Sequence, residues 1–122
     1  MSKVIHFELP ADDPTRAIAF YEKVFGWTIN KWEGPMDYWL ITAGPDDEPG
    51  INGAITPRMM PEQVTTDTIS VESVDESVKK IEEAGGRVTL PKRVIPGIGY
   101  IAYCTDTEGN VFGVLEPDMS VK

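Results

Sequence analysis

Two stretches decide how this chain folds: VIHFELPADDP at residues 4–14 and DTISVESVDE at residues 67–76. Both begin as strands and end as helix starts. In the first, Ile5, Phe7 and Leu9 share one strand face and Val4, His6 and Glu8 the other, because successive strand side chains point oppositely. Asp13 then offers a helix cap and Pro14 suits the first turn. Ala17, Phe20, Tyr21 and Val24 recur at helical spacing, so the helix runs to about Phe25 and stops at Gly26. In the second stretch, Asp67 to Glu72 alternates like a strand. Val74-Asp75-Glu76 opens a helix with Val78, Ile81 and Ala84 on one face, closed by Gly85-Gly86.

Each strand–helix start is followed by three more strands. After the first helix come Trp27 to Trp32, Asp37 to Ala43 and Ile51 to Thr56, with a loop over Gly44–Gly50 marked by its Gly, Pro and Asp content. Pro57 to Thr66 reads as a linker. After the second helix come Arg87 to Leu90, Tyr100 to Thr105 and Val111 to Glu116, the last two joined by a hairpin turn over Asp106–Asn110. The order is βαβββ, a linker, then βαβββ again, an internal repeat. His6-Phe7-Glu8-Leu9 falls opposite Thr68-Ile69-Ser70-Val71, and Ile51–Thr56 falls opposite Val111–Glu116.

The expected fold class is α+β: two βαβββ modules, residues 1–57 and 66–118, forming a cupped, barrel-like mixed sheet with helices outside. The concave side of such a sheet makes a ligand pocket. All 122 residues read as one domain, a length that buries a core without disulfides.

Composition narrows the partners. The net charge is −9, which argues against nucleic acid or an anionic membrane as partner. No apolar run is long enough for a signal peptide or a membrane span. Cys104, the only cysteine, reads as a small core residue, and a reducing compartment suits it. The chain is expected to be cytoplasmic.

Several separated motifs agree on a family. His6-Phe-Glu-Leu-Pro-Ala-Asp-Asp-Pro14, Ala19-Phe-Tyr-Glu-Lys-Val-Phe-Gly-Trp27, Ala84-Gly-Gly86, Gly99-Tyr100 and Asp106-Thr-Glu-Gly-Asn-Val-Phe-Gly-Val-Leu-Glu116 resemble the vicinal oxygen chelate superfamily. That superfamily includes glyoxalases, bleomycin resistance proteins and extradiol dioxygenases. The chain is most similar to small proteins related to lactoylglutathione lyase. The resemblance implies a divalent metal in the cup, held from the first and last strands of each module. Carried onto this sequence, those positions are His6, Thr68, Thr56 and Glu116. Only His6 and Glu116 are good ligands, so half of the set departs from the family. The resemblance also implies a homodimer.

Glu8 lies two residues beyond His6 on the same strand face. It could be a third ligand or a hydrogen-bond partner of the imidazole. A His–Glu–Glu set suits Zn, Ni, Mn or Fe. Without metal, His6 and Glu116 could do acid–base work as a catalytic pair or simply neutralise each other. Tyr38, Thr56, Thr68 and Tyr100 are the substrate-pocket candidates. Arg58, Lys92 and Arg93 read as solvated surface.

Two functions follow. One is a metal-dependent lyase or dioxygenase-like enzyme acting on a small oxygenated substrate, though not a standard lactoylglutathione lyase. The other is a metal-free protein that sequesters an apolar or aromatic small molecule.

Overall fold

The computed structural model describes residues 2–122. Its elements, in chain order, are β1 (Val4–Ala11), α1 (Pro14–Phe25), β2 (Thr28–Lys31), β3 (Trp39–Thr42), β4 (Gly53–Pro57), β5 (Thr66–Ser70), α2 (Val74–Glu83), β6 (Arg87–Ile95), β7 (Gly99–Thr105) and β8 (Val111–Pro117). The class is α+β, and the βαβββ order occurs twice. The residues group into two compact units. One is His6–Thr65; the other is Thr66–Lys122 with residues 2–5.

In the His6–Thr65 unit the strand order is β2-β3-β4-β1. β1 and β4 run parallel, and the other pairs are antiparallel. Helix α1 forms where the sequence punctuates it. Asp13 is extended and its carboxylate accepts the Arg16 N–H at 3.2 Å, which satisfies one of the open donors of the first turn. Gly26 ends the helix at φ 71°, a left-handed conformation that favours glycine. The helix lays Ala17, Ile18 and Tyr21 over Ile29, Ile41 and Ile55. Tyr21 stacks on Trp27 with ring centroids 4.9 Å apart and planes 5° apart. Burying isoleucines such as Ile41 and Ile55 stabilises the unit by about 1.5–3 kcal/mol each.

In the second unit the order is β5-β8-β7-β6, with β5 and β8 parallel and the rest antiparallel. Val71, Val74, Ala102 and Val114 form the core, and Val78 and Ile81 of α2 pack on it. Ser73 caps α2 by accepting the Glu76 N–H at 3.1 Å. Strand β6 runs five residues beyond its expected end at Leu90 and passes through Pro91. Its register against β7 shifts between Val88 and Leu90 and again between Leu90 and Arg93. Such bulges leave backbone groups outside the ladder, so a proline costs little there.

Candidate ligand site

Parallel partners point to the same face of a sheet, so the register assigns each side chain a side. β1 pairs with β4 as Phe7↔Gly53, Glu8↔Ala54, Leu9↔Ile55 and Pro10↔Thr56. Phe7, Leu9 and Ile55 belong to the core under α1. His6, Glu8, Ala54 and Thr56 therefore share the opposite face. Leu40 of β3, paired with Ala54, joins them.

On that face one tyrosine links two ionisable groups. Tyr38 lies just before β3. Its hydroxyl donates to Glu8 Oε2 at 2.9 Å and stands 2.7 Å from His6 Nε2. A phenol has a single proton to give. With that proton on Glu8, the phenol oxygen accepts from His6 Nε2–H. The His6 and Tyr38 rings lie nearly parallel, 10° apart, with centroids 6.2 Å apart. Trp32 packs edge-on against Tyr38 at 5.9 Å, and its N–H donates to the Tyr38 carbonyl at 2.7 Å. That backbone bond closes the β2–β3 hairpin and fixes where the phenol points. Burial holds the His6 pKa below its usual value, and the nearby Glu8 carboxylate partly opposes this. The cluster sets an imidazole, a phenol and a carboxyl group in series.

The second unit differs by one residue. β5 pairs with β8 as Thr68↔Gly113, Ile69↔Val114 and Ser70↔Leu115. Gly53 and Gly113 match across the repeat, yet their partners Phe7 and Thr68 stand 61 positions apart, not the 62 that aligns His6 with Thr68. A one-residue offset turns a strand's side chains to the other face. Ile69 and Val114 lie in the core under α2, so Thr68 faces away from it. Glu116 falls on the α2 side with its antiparallel partner Tyr100. There its Oε1 accepts the Val74 N–H at 3.0 Å, at the first residue of α2. Lys92 sits 4.6 Å above the Tyr100 ring and 3.0 Å from Asp75.

This geometry corrects the ligand set carried over from the resemblance. Thr68 and Glu116 were expected on one surface, and alternation puts them on opposite faces of the sheet. The β8 residue beside Thr68 is Gly113, which has no side chain. A Cβ built there would lie 3.3 Å from Thr68 Oγ1 and 3.3 Å from the Tyr103 ring. Thr68 Oγ1 is buried and has no hydrogen-bond partner among the described residues.

The donors present do not fit a divalent metal. His6 Nε2 and Glu8 Oε2 are engaged by Tyr38, Glu116 Oε1 by the α2 backbone, and Thr56 and Thr68 offer neutral hydroxyls that bind such ions weakly. Within neither unit, among the described residues, do three His, Cys, Asp or Glu side chains gather around one point.

The remaining candidates take structural places. Arg58 reads as surface from sequence, but its guanidinium bonds Asp12 at 2.9 Å, the Pro10 carbonyl at 3.2 Å and the Gln63 carbonyl. Cys104 is fully buried. Sequence reasoning missed that Tyr38 bridges His6 and Glu8, because no spacing rule joins residues about 30 positions apart. It also missed Gly53 and Gly113 as markers of the strand faces. The signal was there, since both sit in the third position of their last strands in the repeat alignment.

The sequence pattern of the Glyoxalase/Bleomycin resistance protein/Dioxygenase superfamily matches residues 3–114. The glyoxylase candidate CFP32 of Mycobacterium bovis is 35% identical over 114 residues, covering 90% of this chain and 42% of that protein. CFP32 of Mycobacterium tuberculosis matches to the same extent. The chain thus spans less than half the length of these relatives. Among solved structures, methylmalonyl-CoA epimerase from Mycobacterium tuberculosis superposes with a TM-score of 0.70 at 13% identity, over 94% of this chain and 87% of that one. A variant of the Streptomyces coelicolor epimerase, in complex with 2-nitronate-propionyl-CoA, gives a TM-score of 0.70 at 12% identity over 94% of each chain. At these identities the likeness shows the shared fold. No helix among the described residues is long and apolar enough to cross a membrane.

Proposed function

Because this chain belongs to the Glyoxalase/Bleomycin resistance protein/Dioxygenase superfamily, we propose that it binds a small oxygenated molecule on the sheet face carrying His6, Glu8 and Tyr38, without a resident metal. The observation that carries this reading is the Tyr38 hydroxyl, set 2.7 Å from His6 and 2.9 Å from Glu8. In this reading a ligand carbonyl or hydroxyl exchanges into that array and is oriented by it. Leu40 and Trp32 supply apolar surface for the ligand body. Thr56, on the same face, is a further contact. The solved structures of similar fold hold CoA esters of small oxygenated acids, methylmalonyl-CoA in one and 2-nitronate-propionyl-CoA in another, which supports the ligand class.

A second reading, a metal-independent acid–base enzyme, is favoured by the way the cluster sets three proton-exchanging groups in series. A neutral imidazole held below its usual pKa can take a proton, and the phenol joins it to a carboxylate. Here His6 is the base through Nδ1, and its Nε2–H and Glu8 together hold the phenol in place. A cytoplasmic homodimer completes the proposal; exposed Val24 and Phe25 on α1 are apolar surface that a second copy would cover.

The test is a thermal-shift and NMR screen of EDTA-treated protein against 2-oxo acids, 2-hydroxy ketones, catechols and short acyl-CoA esters. Binding that persists in EDTA and falls at least tenfold in Tyr38→Phe supports the reading. Binding that appears only on adding Zn, Ni, Mn or Fe(II) overturns it. Deuterium incorporation into the bound compound in heavy water separates the enzyme from the binding protein.

A further inference from the structure

A groove of about 770 Å³ opens on the α1 side of the His6–Thr65 unit, between the first two turns of α1 and the segment 58–65. Its floor is Leu9, Ala11 and Ala17. Leu9 and Ala11 point to the α1 face, opposite His6 and Glu8, so this groove and the Tyr38 cluster lie on different sides of the sheet. The volume is within the usual range for small-molecule sites.

Two apolar side chains line it in contact with solvent. Phe20 is 54% exposed and Val64 is 60% exposed. The charges around it are unevenly committed. Asp12 is paired with Arg58 at 2.9 Å, and Arg58 spends its other donors on the Pro10 and Gln63 carbonyls. Asp13 turns its carboxylate to the Arg16 backbone N–H. The Arg16 guanidinium is the lining charge with no opposite partner among the described residues. It sits four residues before Phe20, one helical turn away on the same side of α1.

We propose that this groove is a second ligand site, for an amphiphilic organic anion: a flat aromatic or short alkyl body with one carboxylate or sulfonate. The body lies between Phe20 and Val64 over the Leu9–Ala17 floor, and the anionic group meets Arg16. Charge complementarity selects this class. A cation would meet Arg16 directly, while both aspartates are already held by Arg58 and by the helix end. The proposal is independent of the Tyr38 reading.

The probe is 8-anilinonaphthalene-1-sulfonate, followed by fluorescence and by amide chemical shifts of the full chain. The expected result is saturable one-to-one binding, with shifts at Ala17, Phe20, Val64 and Thr65. Arg16→Gln should weaken it about fivefold, as loss of one partly exposed ionic contact does, and Arg16→Lys should recover part of the loss. Phe20→Ser should weaken it at least tenfold while the far-ultraviolet spectrum stays unchanged. Lys79→Gln on α2 removes one positive charge elsewhere and should leave binding within twofold. Non-saturable binding, shifts clustered away from this groove, or an Arg16→Gln variant that binds like the parent overturns the proposal. So does a groove whose shifts depend on protein concentration alone, since a second copy of the chain would then be its occupant.

Discussion

Glu116 and Val74, 42 residues apart, are joined by a 3.0 Å hydrogen bond from the Val74 N–H to Glu116 Oε1. The carboxylate stands at the N-terminal end of α2, where backbone N–H groups are unsatisfied and the helix dipole favours negative charge. Glu116→Ala is expected to lower stability by about 1–2 kcal/mol in urea unfolding. Glu116→Gln keeps an acceptor and should lose less than half as much. Divalent-ion binding should be the same in both variants. A loss of metal affinity without a loss of stability would return Glu116 to the metal-ligand role.

Tyr38→Phe removes the hydroxyl from between His6 and Glu8. Both partners are half-buried, so the variant should lose about 1–3 kcal/mol of stability, the usual cost of stranding such groups. Replacing both ends as well, in His6→Leu/Glu8→Leu/Tyr38→Phe, should restore part of that loss. Additive losses across the set would show that the three side chains do not act together.

The His6 pKa is lowered by burial, so the unfolded chain binds the proton more tightly than the folded one. The stability from this group is fully present above the ordinary value of 6.5 and is lost as pH falls below it, toward the folded-state value. Unfolding free energy should therefore decline from pH 7 toward acid, with part of the slope abolished in His6→Gln. An imidazole proton titration by NMR above 6.5 in the folded protein would contradict this.

Gly53 and Gly113 occupy matched positions with different tolerance. A Cβ at Gly53 would lie 2.5 Å from the Phe7 carbonyl oxygen, and backbone cannot step aside cheaply. Gly53→Ala should cost about 2–4 kcal/mol in urea unfolding. At Gly113 the nearest atoms are the Thr68 hydroxyl and the Tyr103 ring at 3.3 Å. Gly113→Ala should cost no more than about 1 kcal/mol, since side chains can shift. Equal costs would mean that the two strand pairs are set alike.

Cys104 is fully buried, and burial, aided by nearby Glu82, raises its thiol pKa. The thiolate is the reactive form, so labelling by a disulfide reagent should be at least a hundredfold slower in the native protein than in 6 M guanidinium chloride. Labelling at the unfolded rate in buffer would place the thiol at the surface.

Much of the fold is legible in the sequence because punctuation and periodicity agree there. Asp13, Pro14 and Gly26 bound α1 within a residue of expectation. The repeat follows from helix and strand patterns that recur in order. What is hidden is long-range register. No local rule tells whether Thr68 pairs with Gly113 or with its neighbour, and that single step decides the side on which Glu116 emerges. The polar cluster was half visible: alternation put Glu8 beside His6, whereas Tyr38 arrives from another strand. The length of β6 was obscured by Pro91, which ends a strand by propensity and is tolerated where the ladder is interrupted.

One border strand in each unit has a bearing on how that unit meets other chains at high concentration. An unpaired strand border invites another chain to add its own backbone, the first step toward fibres. In the His6–Thr65 unit that border is β2, four residues long and ending in Lys31. In the second unit it is β6, whose Pro91-Lys92-Arg93 run coincides with its register breaks. Neither offers a long, flat ladder to a newcomer. The proline and kinks of β6 act as a stop to polymer growth at that edge.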